Sequence, residues 1–255
     1  MDAFGARGVN INNILLDLHN IGIHEGLAVE VHSSMKQIGE IDNNPNIIID
    51  SLKSIVTTNG SIVMAAFPLS KCLSLTDQDL SLGIKTKKKW LLEQHNERSD
   101  MGVISDTFCK SPDTVLGTGQ HRMAAWGKNA EFYVNDLMNL IDNNGYALLI
   151  GVDIRKLTAM HYVEDSIPES IWPRLFSPMP NEIKDIYDLN EYFITTEELP
   201  KYHVGWLKVQ DLAEKRGMIT RGKIGNAESM FFNIKEVISI YEYEIKHNIT
   251  ELFEI

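Results

Sequence analysis

The sequence predicts an α/β fold: a central sheet, largely parallel or mixed, flanked by helices, with long loops covering a substrate cleft. Three observations carry this expectation. Residues 146–152, Tyr-Ala-Leu-Leu-Ile-Gly-Val, form a short apolar run ending at glycine and valine, the pattern of a strand covered on both faces. Amphipathic helical stretches and apolar strands alternate along the first half of the chain, as in βαβ units. A chain of 255 residues, 44% of them hydrophobic, can also bury a substantial core. We expect one domain over residues 1–255, with room for a minor lobe from about 169 to 225.

Each element has its own justification. Residues 10–20 put Ile11, Ile14, Leu15 and Leu18 on one face, a short helix ending near Gly22. Leu27 to Val31 is a strand. His32-Ser33-Ser34 follows at its carboxyl end, where open α/β sheets bind ligands, although Ser-Ser is equally an ordinary loop. Pro45 opens a second helix bearing Ile47, Ile48, Leu52, Ile55 and Val56, closed at Gly60 and followed by a strand from Ser61 to Phe67. Pro68 to Asp100 has little periodicity and reads as a long loop over the site. Its Lys87-Lys88-Lys89 is either a solvated charge run or a contact for phosphates. From Met101 a helix with Val103, Ile104, Thr107 and Phe108 runs to Pro112. One helix is expected over Asn129 to Ile141, then a turn at Asn143-Asn144-Gly145. Beyond Pro168 the chain is irregular to about Val204, with scattered carboxylates that suit a solvated surface. Helices then follow over Trp206 to Arg216 and from about Asn233, where Ile234, Val237, Ile238, Tyr241 and Ile245 share one face.

The chemistry concentrates after the apolar strand. Asp153 to Leu157 forms the loop at its carboxyl end, Thr158 is a suitable N-cap, and Pro168 stops the helix. Thr158, His161 and Glu164 fall three apart and share a face, so a base lies beside a carboxylate able to orient it. An imidazole in the first turn feels the positive end of the helix dipole, which favours the neutral ring, while Glu164 pulls the other way. A neutral, oriented histidine is what proton removal from a nucleophile requires. The same spacing also suits a solvated surface pair. No metal is expected, because the second histidine of a His-Glu-x-x-His site and any Cys/His cluster are missing.

Composition narrows the classes. There is no run of about 18 apolar residues, and the N-terminal Met-Asp-Ala-Phe-Gly-Ala-Arg-Gly has no signal core, so a cytoplasmic protein without a membrane partner is expected. Cys72 and Cys109 are the only cysteines, which suits a reducing compartment. The net charge of -11 argues against nucleic acid and is compatible with a cationic substrate.

The block Leu149-Ile-Gly-Val-Asp153, Thr158, His161, Glu164 resembles that of the aminoglycoside 3-N-acetyltransferase family, whose fold differs from that of the GNAT acetyltransferases. Further blocks follow the family order: Val31-His32-Ser33-Ser34-Met35 with Gly39, Gly60 to Ala65, Met101-Gly102 with Phe108, Ala125-Trp126-Gly127-Lys128, and Gly222-Lys-Ile-Gly225-Asn-Ala227. The resemblance spans about residues 11–245. It implies acetyl-CoA as co-substrate and a primary amine of an aminoglycoside or related amino sugar as acceptor, with direct transfer. His161 would be the general base and Glu164 its partner. His32, Ser33, Ser34, Thr118 and Gly119 would face the CoA moiety, and Asp153, Thr158 and His121 the acceptor. Backbone amides near Ser33 and Ser34, or Gly117 to Gly119, are candidates for stabilising the oxyanion. The chain departs from the family between Val115 and Gly127, where an Arg-Ser-x-His-Pro motif is usual; Thr118, Gly119 or His121 stands in the histidine's place. Other open readings are an amino-sugar acyltransferase of antibiotic or surface-polysaccharide synthesis, and a non-catalytic protein that binds CoA or sugar. A homodimer is an admissible assembly.

Overall fold

The computed structural model describes residues 10–39, 44–91, 97–176 and 178–255; the N-terminal Met1 to Gly8 lies outside them. Seven strands form one mixed sheet in the order β4-β5-β2-β1-β6-β9-β8. Its centre is β1 (Ala28–Ser33), flanked in parallel by β2 (Ser61–Ala65) and β6 (Tyr146–Ile150). A short pair, β3 (Thr86–Lys89) and β7 (Tyr192–Thr195), stands apart as an antiparallel ribbon. β4 (Val115–Leu116) and β5 (Met123–Gly127) form a hairpin that extends the sheet beyond β2. β8 (Thr220–Ile224) and β9 (Ala227–Asn233) form the other edge beside β6. The expected α/β class is therefore found, in its mixed form.

Apolar periodicity explains most of the helices. Ile11–Ile21 buries Ile14, Leu18 and Ile21, takes Asn10 as N-cap and ends at Gly22, whose φ of 116° suits glycine. Asn46–Val56 connects β1 to β2 and buries Ile48, Ile49, Leu52 and Val56. Ile234–Phe253 covers the opposite face, where Val237, Ile238, Tyr241 and Ile245 join a core with Leu149, Ala147 and Phe232. The two faces of the sheet thus carry separate apolar clusters, with Val29, Val31, Leu148 and Ile150 on one and Ala147 and Leu149 on the other. This is period-two alternation in strands buried on both sides.

Several expectations are corrected. The helix expected over Asn129 to Ile141 divides into Ala130–Asn135 and Met138–Asp142, because Asp136 takes an extended backbone and its carboxylate accepts the Met138 amide at 2.9 Å. The lysine triplet is strand β3, and Lys87 is neither solvated nor free for phosphate: its Nζ meets Asp79 Oδ2 at 2.5 Å in a buried pair that Tyr187 completes. Ile84, Ile183 and Ile194 form a small cluster under this ribbon, which gives structure to segments expected to be irregular. The helix expected from Trp206 begins earlier, at Lys201, just after Pro200. Among the described residues no helix is long and apolar enough to cross a membrane.

Candidate active site

Because β2, β1 and β6 are parallel, their carboxyl ends lie along one edge of the sheet. β5 runs antiparallel to β2 with Met123 opposite Ala65, so the turn before β5 reaches the same edge. The candidate residues His32, Ser33 and Ser34, the turn bearing Thr118, Gly119 and His121, and the segment from Asp153 to Glu164 therefore gather at one end of the fold. The strand order reverses at β1, since β2 lies on one side of β1 and β6 on the other, all three parallel. A crevice outside the strand ends at such a point is where open α/β sheets bind ligands.

Gly151 makes the bend out of β6. It has φ of 68°, and a Cβ there would lie 2.4 Å from the Gln37 side chain, so only glycine fits. Asp153 then accepts the Arg155 amide at 3.0 Å and grips the guanidinium at 2.6 Å. Burial opposes ionisation of Asp153, but Arg155 outweighs it and holds the carboxyl below its usual range. The candidate Asp153 is thus already paired, its side chain 32% exposed.

Thr158–Ser166 is a 3-10 helix, where an α-helix was expected. Thr158 is its first residue, with no capping role; its amide donates to Glu30 Oε1 at 3.0 Å. The tighter winding brings residues three apart into eclipse, which aligns Thr158, His161 and Glu164 on one face. His161 Nδ1 lies 3.1 Å from Glu164 Oε2. The imidazole is half exposed and rests edge-on against Trp206, ring centroids 4.8 Å apart, with Tyr202 at 6.1 Å. Trp206 is fully buried and donates to Tyr241 at 3.1 Å, which fixes the bed under the histidine. Glu164 Oε1 is buried without a hydrogen-bond partner among the described residues.

On the facing wall, His121 packs edge-on against Phe67 and Trp90 at 5.2 and 6.0 Å. Burial, then the nearby His161, lowers its pKa. His32 Nε2 sits 2.7 Å from Glu30 Oε1 and 3.5 Å from Thr158 Oγ1, joining β1 to the 3-10 helix across the crevice. The structure therefore brings together His161, Glu164, Thr158, His32 and His121. Thr118 and Gly119 are exposed at the hairpin turn, and no hydrogen bond among the described residues links them to this group. Ser34 heads the short helix Met35–Ile38, and its amide donates to the Ile150 carbonyl at 2.8 Å. The Gly117 amide likewise serves Met123 at 2.8 Å, so neither is available to an oxyanion.

Two residues were missed from the sequence. His203, on the helix Lys201–Lys215, packs against Tyr202 and Trp206; burial first, then Arg155 and His161, pushes its pKa down to about 4. Glu30 is wholly buried in the central strand, and the signal was available as a charge between Val29 and Val31 in an apolar run. Among the described residues, no group of three or more His, Cys, Asp or Glu is placed to hold a metal.

This geometry defines an α/β protein with a histidine–carboxylate pair at the switch point of a mixed sheet, an arrangement chemically able to accept a proton. The chain belongs to the aminoglycoside 3-N-acetyltransferase family, whose model matches residues 31–245. It is 24% identical over 254 residues to the SPbeta prophage-derived aminoglycoside N(3')-acetyltransferase-like protein YokD of Bacillus subtilis (strain 168), covering 90% of each chain. It is 23% identical over 258 residues to aminoglycoside N(3)-acetyltransferase III of Serratia marcescens, covering 90% of this chain and 94% of that one. Among solved structures, AAC-IIIb in binary complex with CoASH superposes with a TM-score of 0.66 at 15% identity, over 96% of this chain and 97% of that one.

Proposed function

We propose that the protein transfers the acetyl group of acetyl-CoA directly to a primary amine of an aminoglycoside or related amino sugar. The observation that carries the reading is the His161–Glu164 pair, held at 3.1 Å at the carboxyl edge of the sheet in a chain of this family. With Nδ1–H donating to Glu164, Nε2 of His161 is the nitrogen left to take a proton from the acceptor amine. The amine nitrogen forms the new C–N bond at the thioester carbonyl, the C–S bond breaks, and CoA leaves as a thiolate. The proton passes from His161 to that thiolate or to water.

In this reading His32, Ser33 and Ser34 hold the acetyl-CoA end from β1, and Thr118 and Gly119 meet it from the hairpin turn. Since the Ser34 amide is engaged by Ile150, the serine contribution comes from side-chain hydroxyls. Thr158 and His121 border the acceptor. Asp153 offers negative charge to substrate ammonium groups from its exposed edge, beside its pairing with Arg155. The hairpin turn lacks the family's usual His-Pro, which supports an acceptor range that includes amino sugars other than aminoglycoside drugs. Mass spectrometry of candidate acceptors incubated with acetyl-CoA and the protein tests the reading. A mass gain of one acetyl group is expected, and His161→Ala should slow it by about 10²- to 10⁴-fold. Acceptors left unchanged across the panel would sink the proposal.

A further inference from the structure

Glu30 breaks the rule that a central strand carries apolar residues. Period-two alternation sends Val29 and Val31 into one core and puts Ala28, Glu30 and His32 on the other face. Glu30 is 0% exposed, and its Oε2 has no hydrogen-bond partner among the described residues. A buried carboxylate with an unpartnered oxygen is costly, so its place in a central strand calls for a compensating role. Its other oxygen explains the retention. Oε1 accepts both from His32 Nε2 at 2.7 Å and from the backbone amide of Thr158 at 3.0 Å. The first bond fixes which nitrogen of His32 carries the proton and how the ring is turned. The second ties the opening residue of the 3-10 helix to the sheet, one turn before His161.

We infer that Glu30 is a positioning residue for acetyl transfer, a buried acceptor that locks the His32 ring and anchors the helix carrying His161. This rests on the transferase reading above. Two variants test it. Glu30→Met keeps the approximate volume and removes the acceptor. Glu30→Gln keeps the acceptor oxygen in place and puts its amide nitrogen where Oε2 lies unpartnered. The expected result for Glu30→Met is a fall in kcat of tenfold or more with an acceptor KM within about threefold of wild type. The melting temperature falls as well, because the Thr158 amide and the His32 ring lose their acceptor, so the split between kcat and KM and the ring signature carry the test. Glu30→Gln should restore kcat to within about threefold. Nitrogen-15 NMR of the His32 ring gives a readout independent of turnover: Nε2 protonated and hydrogen-bonded in wild type and Glu30→Gln, with that signature lost in Glu30→Met. Wild-type turnover in Glu30→Met overturns the proposal, and so does a Glu30→Gln variant as slow as Glu30→Met. A Glu30→Met protein that fails to fold assigns Glu30 to structure and overturns it as well. A wild-type protein inactive on every acceptor refutes the transferase reading instead, while the NMR comparison still decides whether Glu30 holds the ring.

Discussion

Replacing Glu164 by alanine isolates the part of the proton-transfer machinery that orients rather than reacts. Glu164 Oε2 lies 3.1 Å from His161 Nδ1, with the carboxylate 14% and the imidazole 51% exposed. A hydrogen bond to a charged group contributes about 1.5–3 kcal/mol, and each ~1.4 kcal/mol of barrier is tenfold in rate. Losing the bond should therefore lower kcat/KM by roughly 10- to 150-fold, because His161 remains but neither its tautomer nor its ring orientation is held. His161→Ala removes the base and should cost more, about 10²- to 10⁴-fold. As the carboxylate acts through the ring, the double variant should be no slower than His161→Ala alone. Stability should not fall, since the substitution also removes the buried, unpartnered Oε1. Steady-state thiol release from acetyl-CoA gives the rates, and thermal melting gives the stability control. Glu164→Ala at wild-type kcat/KM, or losses that multiply in the double variant, would refute the reasoning.

Lys87→Met leaves the Asp79 carboxylate buried without its cation and should cost about 3–5 kcal/mol in urea unfolding. Burial opposes ionisation of Asp79, but Lys87, Tyr187 and Thr76 outweigh it and hold its pKa below 3.8. The stability this group provides is present above that value and lost as pH falls below it. Wild type should thus weaken below about pH 4, whereas in Lys87→Met only the Tyr187 and Thr76 hydrogen bonds oppose burial of the Asp79 charge and the loss of stability in acid should be smaller. An unchanged acid limb in the variant would contradict the pairing. For His203 the sign is that of a buried neutral histidine: the unfolded chain takes up its proton near 6.5 and the native protein only near 4. Its contribution to stability is therefore present above pH 6.5 and falls as pH drops toward 4. An NMR titration of the His203 ring should stay flat above about pH 5, and a midpoint at the ordinary histidine value would show that the ring is solvated.

Legibility followed periodicity. The helices Ile11–Ile21, Asn46–Val56 and Ile234–Phe253 and the strands β1, β2 and β6 were visible because each buries a regular set of apolar side chains. Pairing that depends on distant partners was not. β3 reads as a lysine run because its strand partner β7 lies about 100 residues on, and Tyr187, 100 residues from Lys87, completes the buried pair of Lys87 with Asp79. The split at Asp136 arises from a local carboxylate–amide contact that no period announces, and residues three apart share a face in a 3-10 helix as in an α-helix, so the spacing did not tell the two windings of Thr158–Ser166 apart. In the site, the i, i+3 spacing of His161 and Glu164 gave the pair, since one helical face suffices to join them. His203 was hidden because its helix begins where the sequence looks irregular, and Glu30 because its partner amide lies 128 residues on.

The measurement that tests the central claim most directly is thiol release from acetyl-CoA, followed with a disulfide reagent across aminoglycosides and simple amino sugars, for wild type and His161→Ala. The account predicts acceptor-dependent release by wild type that the substitution lowers by at least about 10²-fold while the melting temperature is kept. Equal release by both proteins would remove His161 from the reaction, and no acceptor-dependent release by wild type would contradict acetyl transfer to an amine.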